Sequence, residues 1–262
     1  CHIIVDGSGK NVVVANFASG SFSSYPILPD GSLAEAATTI QHQGTSVNQN
    51  RQTSPHAHSV LLDENNRFAY VADLGMDRIM IYKWEADRCK FTPASQPWFP
   101  VKPGAGPRHF ALHPTGKYLY LINELDSTIA GYERDRTTGA LHEIQIVTTL
   151  PTDFSGQNSC ADLHLTPDGN FLYGSNRGHN SLVIYRVDPK TGLLRFIGHE
   201  STGGKTTRHF AIEPSGNFLY AANQDSDNIV HFTIDRDEGT LQATGDLTEV
   251  PTPVCIQFLQ TL

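Results

Sequence analysis

The sequence has few cysteines and no long apolar run. Its cysteines are widely spread and form no Cys-x-x-Cys pair, at Cys1, Cys89, Cys160 and Cys255. This excludes a zinc knuckle or a redox dithiol of that type. Isolated thiols fit a reducing compartment, although an even number leaves disulfides open. No apolar run reaches the roughly 18 residues that a membrane span needs. No basic and apolar leader is present either, but the sequence starts at Cys1 within a repeat, so a leader would already be missing. We therefore expect a cytoplasmic protein with no membrane partner.

Basic residues are also scarce. Lys and Arg number 19 against 27 Asp and Glu, which gives a net charge of −8. A nucleic acid or an anionic membrane would require a basic surface, so neither is expected as a partner. The charged fraction of 18% and the apolar fraction of 39% are ordinary for a folded all-β protein.

One pattern recurs five times along the chain: a strand, a tight turn with Gly or Asn, and an aromatic-rich strand ending in Asn or Asp. The copies cover residues 1–17, 58–74, 108–124, 161–177 and 208–224. The closing residues are 57, 50, 53 and 47 positions apart, at Asn16, Asp73, Asn123, Asn176 and Asn223. A period near 50 residues with four strands per unit is typical of a β-propeller. We predict an all-β fold and one propeller domain over residues 1–262.

The third copy illustrates the predicted unit. Its strands are expected over residues 109–112, 117–122, 128–134 and 141–149, separated by turn signals. The longest irregular stretches are expected over residues 41–55, 93–107 and 151–159, and loops of this length are more often functional than not. Residues 253–259 are predicted to form the innermost strand of a sixth unit. Because a closed ring pairs strands from both ends of the chain, we expect about two blades to be missing at the N-terminus.

Candidate site residues lie where the first strand of each unit starts and the second ends, because antiparallel neighbours bring these positions to one face. The first strands start at Cys1, His58, Arg108, Ala161 and Arg208, followed by His2, Ser59, His109, Asp162 and His209. The second strands end at Phe17, Leu74, Glu124, Arg177 and Gln224. These positions vary between copies, whereas the turns are alike. We expect one asymmetric site at the axis. The structural alternative is hydrogen bonding within the fold, including a mutual Glu124–Arg177 ion pair.

Metal binding is the next alternative. His56 and His58, with His109, Asp162 and His164 elsewhere, could form a nitrogen and oxygen site. Arginines at the same rim would repel a cation and favour an anion, so we expect no metal and no cofactor. No Gly-x-Ser-x-Gly motif is present, so direct attack by water is preferred to an acyl-enzyme.

Four stretches resemble the lactonase family of seven-bladed β-propellers: CHIIVDGSGKNVVVANFASGS, PHAHSVLLDENNRFAYVADLGMDRI, GAGPRHFALHPTGKYLYLINELDST and VPTPVCIQFL. This family includes bacterial 6-phosphogluconolactonases and fungal carboxymuconate-lactonizing enzymes, and the resemblance covers the whole chain. It implies a catalytic set formed by a His at a first-strand start, the Arg of GPRH, the Glu of NEL and a later Arg. Those residues match His58, Arg108, Glu124 and Arg177.

The resemblance implies a monomeric or weakly dimeric enzyme of the pentose phosphate pathway that hydrolyses 6-phosphogluconolactone, a small anionic lactone. We expect Arg108 and Arg177 to bind the anion and stabilise the oxyanion, and Glu124 or His58 to activate water. Substrate-binding or supporting roles are expected for His109, Asp162, His209, Arg208 and Gln224. One alternative is a cycloisomerase that forms a lactone from a carboxylated muconate. The other is a non-catalytic interaction platform, against which stand the charged rim and the lack of Trp-Asp dipeptides.

Overall fold

The structure is a computed structural model that describes residues 1–259. These residues form twenty strands, joined in chain order into five four-stranded sheets. Sheet 1 contains β1 (His2–Val5), β2 (Asn11–Asn16), β3 (Ser21–Pro26) and β4 (Thr38–Gln41). Sheet 2 contains β5 (Ala57–Leu62), β6 (Phe68–Asp73), β7 (Arg78–Glu85) and β8 (Lys90–Pro100). Sheet 3 contains β9 (Pro107–Leu112), β10 (Tyr118–Asn123), β11 (Thr128–Arg134) and β12 (Leu141–Thr148).

Sheet 4 contains β13 (Ser159–Leu165), β14 (Phe171–Arg177), β15 (Ser181–Val187) and β16 (Leu194–Ser201). Sheet 5 contains β17 (Thr207–Ile212), β18 (Phe218–Asn223), β19 (Asn228–Ile234) and β20 (Leu241–Glu249). Two single-turn 3-10 helices, Ala86–Arg88 and Gln224–Ser226, complete the described elements. Neither is long and apolar enough to span a membrane. The all-β prediction is therefore confirmed.

The chain divides into two compact units. Unit 1 contains residues 1–112 and 133–142, and unit 2 contains residues 113–132 and the chain from residue 143 onward. Sheets 1 and 2 belong to unit 1, whereas sheets 4 and 5 belong to unit 2. In sheet 3, β9 lies in unit 1 and β10 in unit 2.

Two sequence predictions about strands were wrong. Residues 93–100 were expected to be irregular, but they belong to β8, which spans Lys90–Pro100. Its prolines are tolerated because β8 is the outermost strand of sheet 2. Residues 253–259 were expected to form a strand of a sixth unit, but no strand is assigned to them. A strand exists only where a ladder partner is present, and this segment instead contacts a side chain, since Ile256 N donates to His209 Nδ1 at 3.3 Å.

The tight turn between the first and second strands of each sheet is held by a side chain at the end of the first strand. Asp6 Oδ1 accepts the backbone N–H of Asn11 at 3.1 Å. Asp63 Oδ1 accepts the N–H of Phe68 at 2.8 Å, and Glu213 Oε1 accepts that of Asn217 at 2.8 Å. Short polar side chains stabilise turns in this way. The similarity of the turns from copy to copy is therefore structural.

The aromatic residues of the second strands bind one sheet to the next. A buried tyrosine hydroxyl in each of three sheets donates to a turn glycine carbonyl of the following sheet at 2.8–2.9 Å: Tyr70 to Gly139, Tyr120 to Gly192 and Tyr173 to Gly239. At the turn of sheet 4, both the backbone conformation and the available space require glycine. At Gly192 φ is +71°, and an added Cβ would clash with the ring of Tyr118. Each such bond contributes about 1 kcal/mol to stability.

The recurring Asn or Asp that closes each second strand is also structural. Asp73, Asn176 and Asn223 are fully buried. Each binds the residue that follows the last strand of the preceding sheet: Asp73 Oδ2 contacts His42 Nδ1 at 2.6 Å, Asn176 Nδ2 donates to Thr149 O at 2.8 Å, and Asn223 Nδ2 donates to Thr202 O at 2.8 Å. These contacts fix the sheet edge at which the variable residues next in sequence are presented.

Candidate functional site

Bulges at the starts of first strands position the candidate side chains. The register shifts between Ala57 and Ser59 in β5, and between Thr207 and His209 in β17. The extra residues at these points are His58 and Arg208, which have no counterpart on the second strand. A bulge bends the strand and redirects the side chain it carries. The sequence predicted these positions as candidates, but the bulges themselves are seen only in the structure.

The candidate residues of unit 1 form one histidine-rich group. His58 is buried, and its ring centroid lies 5.0 Å from that of His109. Its Nε2 lies 3.6 Å from Cys1 Sγ. The buried Arg108 is held through its backbone, because its carbonyl accepts the Ser59 hydroxyl at 2.6 Å. The structure therefore brings His58, Arg108 and His109 together at adjacent first-strand starts.

His56 does not join this group, contrary to the possible metal site suggested by its spacing from His58. Its ring stacks on Phe17 with centroids 4.5 Å apart, and its Nδ1 lies 2.9 Å from the Phe17 carbonyl oxygen. One ring nitrogen is thus engaged by the backbone. The spacing of two residues was not sufficient evidence, because His56 precedes β5 and His58 lies in its bulge, so the two side chains need not share a direction.

Glu124 and Arg177 meet in unit 2. Arg177 NH2 lies 2.9 Å from Glu124 Oε2, with side-chain exposures of 12% and 7%. The same nitrogen donates to the Cys160 carbonyl at 2.6 Å. The ion pair that the sequence offered as the structural alternative is therefore present. A nearly buried pair of this kind presents a fixed cation and a fixed anion at one edge of the sheets.

Asp162 connects two histidines in unit 2. Its Oδ2 lies 2.9 Å from His164 Nε2 and 3.4 Å from His209 Nε2. Burial lowers the pKa of His164 and the Asp162 carboxylate raises it, and the balance is a raised pKa. Asp162 and His209 were predicted as supporting residues. His164 was considered only as a metal ligand, and its contact with Asp162 is seen only in the structure, because the register of β13 shifts between Cys160 and Leu163.

The chemistry of this cluster does not fit a metal ion. The ligand atoms of Asp162, His164 and His209 lie within 4.8 Å of one another. However, His209 Nδ1 accepts the N–H of Ile256 at 3.3 Å. A backbone N–H only donates, so the neutral ring carries its proton on Nε2, the atom that faces Asp162. A metal would need a lone pair there, so the cluster is better described as hydrogen-bonded.

Polar atoms without partners are concentrated at the ends of second strands in unit 2. Asn123 Oδ1, Arg177 Nε and Gln224 Oε1 are buried, and none has a hydrogen-bond partner within residues 1–259. Buried polar atoms in folded proteins are nearly always paired with protein, water or a ligand. These atoms are therefore free to accept or donate hydrogen bonds to bound water or to a ligand at this edge.

The predicted loop over residues 151–159 lies at the same edge of unit 2. Asn158 Nδ2 donates to Asn176 Oδ1 at 3.0 Å, and Asn158 Oδ1 accepts the N–H of His179 at 3.1 Å. The ring of Phe154 packs edge-on against His179 with centroids 4.9 Å apart. Burial and the nearby His199 lower the pKa of His179. The sequence did not single out His179, which follows the candidate position Arg177 by two residues.

The candidate residues thus fall into two groups, one in each unit. His58, Arg108 and His109 form the group in unit 1. Glu124 with Arg177, and Asp162 with His209, form the group in unit 2, where Arg208 and Gln224 flank the start of β17 and the end of β18. The convergence of both groups on one opening stays a prediction.

Comparison with known proteins gives a consistent result. The family model described as "Lactonase, 7-bladed beta-propeller" matches residues 1–258. The chain is 36% identical over 259 residues to a 6-phosphogluconolactonase of Bacillus subtilis, covering 99% of this chain and 73% of that protein. It is 38% identical over 215 residues to a 6-phosphogluconolactonase of Formosa agariphila, covering 81% of this chain and 60% of that protein.

Solved structures agree with these relatives. The periplasmic gluconolactonase of Pseudomonas aeruginosa superimposes with a TM-score of 0.92 at 32% identity, covering 99% of this chain and 72% of that one. A protein from Lactobacillus plantarum gives a TM-score of 0.93 at 34% identity, covering 98% and 74%. The β-propeller prediction is confirmed. The family has seven blades, and residues 1–259 contain five sheets.

Proposed function

Because the chain belongs to the lactonase family of seven-bladed β-propellers, we propose that it hydrolyses a lactone. The substrate in this proposal is 6-phosphogluconolactone and the product is 6-phosphogluconate, the reaction named for the relatives in Bacillus subtilis and Formosa agariphila. The observation that carries the proposal is the Glu124–Arg177 pair at 2.9 Å. It lies at the strand ends where the family resemblance puts a catalytic carboxylate and guanidinium.

The arginines bind and stabilise negative charge. Hydrolysis of an ester passes through a tetrahedral oxyanion, and donors aimed at that oxygen lower the barrier. The guanidinium of Arg177 is held in place by Glu124 and by the Cys160 carbonyl. A donor fixed before the reaction needs no reorganisation during it. Arg108, buried at the start of β9, is proposed to share this role.

His58 is proposed as the general base. Glu124 Oε2 already contacts the Arg177 guanidinium at 2.9 Å, so this carboxylate is engaged in orienting Arg177. An imidazole ordinarily titrates near neutral pH and so suits proton transfer there. In this proposal His58 takes a proton from the attacking water, and Glu124 fixes the direction of Arg177. The ring-opened alkoxide then receives the proton from His58, which completes the hydrolysis without a covalent intermediate.

The test measures initial rates of 6-phosphogluconolactone hydrolysis, corrected for spontaneous opening. His58→Ala should lower kcat by about 10²–10⁴-fold, the usual contribution of a general base. Glu124→Gln should lower kcat/KM by about tenfold or more, because Arg177 loses its anchor. His142→Ala and Glu143→Gln are matched controls, since both residues are exposed on β12. Protein treated with EDTA should keep its rate.

Two outcomes would contradict the proposal. If His58→Ala and Glu124→Gln both keep turnover near that of the unmodified chain, the assignment of the catalytic residues is wrong. If the unmodified chain acts on a carboxylated muconate and not on 6-phosphogluconolactone, the reaction itself is wrong.

A further inference from the structure

Two polar residues lie at the same end of the β17–β18 hairpin, Arg208 within it and Gln224 directly after it. Thr207 of β17 pairs with Asn223 of β18. Arg208 is the bulged residue directly after Thr207, and Gln224 directly follows Asn223. Paired residues on antiparallel strands have Cα atoms only about 5 Å apart. The guanidinium and the amide are therefore presented by the same end of one hairpin.

Sheet 4 adds a third group to this edge. Its strand β14 packs against β17 and ends at Arg177. One terminal nitrogen of Arg177 is used by Glu124 and by the Cys160 carbonyl. Its Nε is buried and has no hydrogen-bond partner within residues 1–259, and the same is true of Gln224 Oε1. Both atoms belong to residues at the corresponding position of neighbouring sheets.

Nearby carboxylates do not neutralise Arg208. The Asp225 carboxylate accepts the Thr206 hydroxyl, and Asp162 contacts the two imidazoles of His164 and His209. Neither pairs with the half-buried Arg208, whose guanidinium makes no ion pair in the part of the chain that the structure describes. A cation in this position is available to an anionic ligand.

These groups select a particular ligand chemistry. The Nε of an arginine can only donate, whereas a glutamine amide both donates and accepts. A hydroxyl group can accept from the first and donate to the second, and it suits either orientation of the amide. A guanidinium that is not already paired favours a phosphate, to which it donates in bidentate fashion. A ligand carrying both a hydroxyl and a phosphate would satisfy all three side chains.

We infer that Arg208 and Gln224, together with the Nε of Arg177, form a subsite that binds the phosphate and a hydroxyl of the substrate. This rests on the proposed lactonase function and adds two specificity-determining residues to it. Arg208 selects phosphorylated over plain sugar lactones. Gln224 selects hydroxylated lactones over those without hydroxyl groups.

The test compares kcat/KM for 6-phosphogluconolactone, glucono-δ-lactone and δ-valerolactone. For Arg208→Gln, the preference for the phosphorylated lactone over glucono-δ-lactone should fall about 10–100-fold, as expected for a charged hydrogen bond. For Gln224→Leu, the preference for glucono-δ-lactone over δ-valerolactone should fall up to about tenfold. Gln242→Leu, at an exposed position of β20, is the matched control and should leave both preferences unchanged.

Equal losses on all three lactones, or unchanged preferences in both variants, would overturn the subsite. Absence of turnover by the unmodified chain would refute the proposed function instead. In that case calorimetric titration with 6-phosphogluconate decides the inference. The unmodified chain should bind it and Arg208→Gln should weaken binding about 10–100-fold. No binding, or equal binding by both proteins, would contradict the inference.

Discussion

Replacing Arg134 should destabilise the protein far more than replacing Arg136, although both pair with the same carboxylate. Arg134 NH2 lies 2.5 Å from Glu64 Oε2, and its NH1 lies 3.1 Å from Asp63 Oδ2. The side chains of Arg134 and Asp63 have no exposed surface. Arg136 Nε lies 3.0 Å from Glu64 Oε1, but its side chain is 53% exposed.

The difference in burial sets the expected magnitudes. Arg134→Met leaves the buried Asp63 carboxylate without its cation, which typically costs about 3–5 kcal/mol of unfolding free energy. Arg136→Met removes an exposed pair, which contributes about 0–1 kcal/mol because water and salt screen it. A loss of 3–5 kcal/mol is a large part of the about 5–15 kcal/mol by which domains are stable.

Urea denaturation followed by circular dichroism at pH 7 measures both changes. If Arg134→Met does not fold, Arg134→Lys provides the measurement, since it keeps the charge and loses the planar fork; its loss should exceed that of Arg136→Met. High salt should weaken the contribution of Arg136 and leave that of Arg134 nearly unchanged. A loss for Arg134→Met below about 1 kcal/mol, or no larger than that of Arg136→Met, would refute the reasoning.

Three further predictions concern stability and reactivity. Burial raises the pKa of Asp6, but hydrogen bonds from Asn66 and other groups lower it by more, so the net pKa is lowered to about 2. Its stabilising contribution of about 2 kcal/mol is therefore complete above pH 5 and lost as the pH falls towards 2; denaturation at pH 7 and pH 3 should show that Asp6→Asn removes this part of the acid sensitivity. Gly192→Ala should lower Tm by several degrees, because φ is +71° and the new Cβ meets Tyr118; an unchanged Tm would contradict this. Burial raises the pKa of Cys160 to about 11, so a disulfide reagent should modify this thiol only after unfolding, whereas the exposed Cys1 and Cys255 should react in the folded protein; peptide mapping that finds Cys160 labelled in the folded protein would contradict that expectation.

Much of the fold could be predicted from sequence because each sheet repeats the same local signals. The turn that follows Asp63 and the aromatic strand that follows the turn are local features, and the structure has strands where the third copy predicts them. Residues 93–100 were misjudged because prolines normally end strands, and only the position of β8 at the sheet edge permits them.

The candidate site was predictable in its residues but not in its contacts. The rim positions follow from strand direction, so Glu124 and Arg177 could be named before their 2.9 Å pair was seen. The unpaired Nε of Arg177 and the N–H of Ile256 that sets the tautomer of His209 depend on packing between segments far apart in sequence. No local pattern encodes such contacts.

A crystal structure with 6-phosphogluconate bound tests the central claim most directly. We expect the carboxylate of the product, which marks the position of the lactone carbonyl, to lie within hydrogen-bond distance of Arg177, with its phosphate at Arg208. A product bound at another surface, or bound without contact to Arg177, would contradict it.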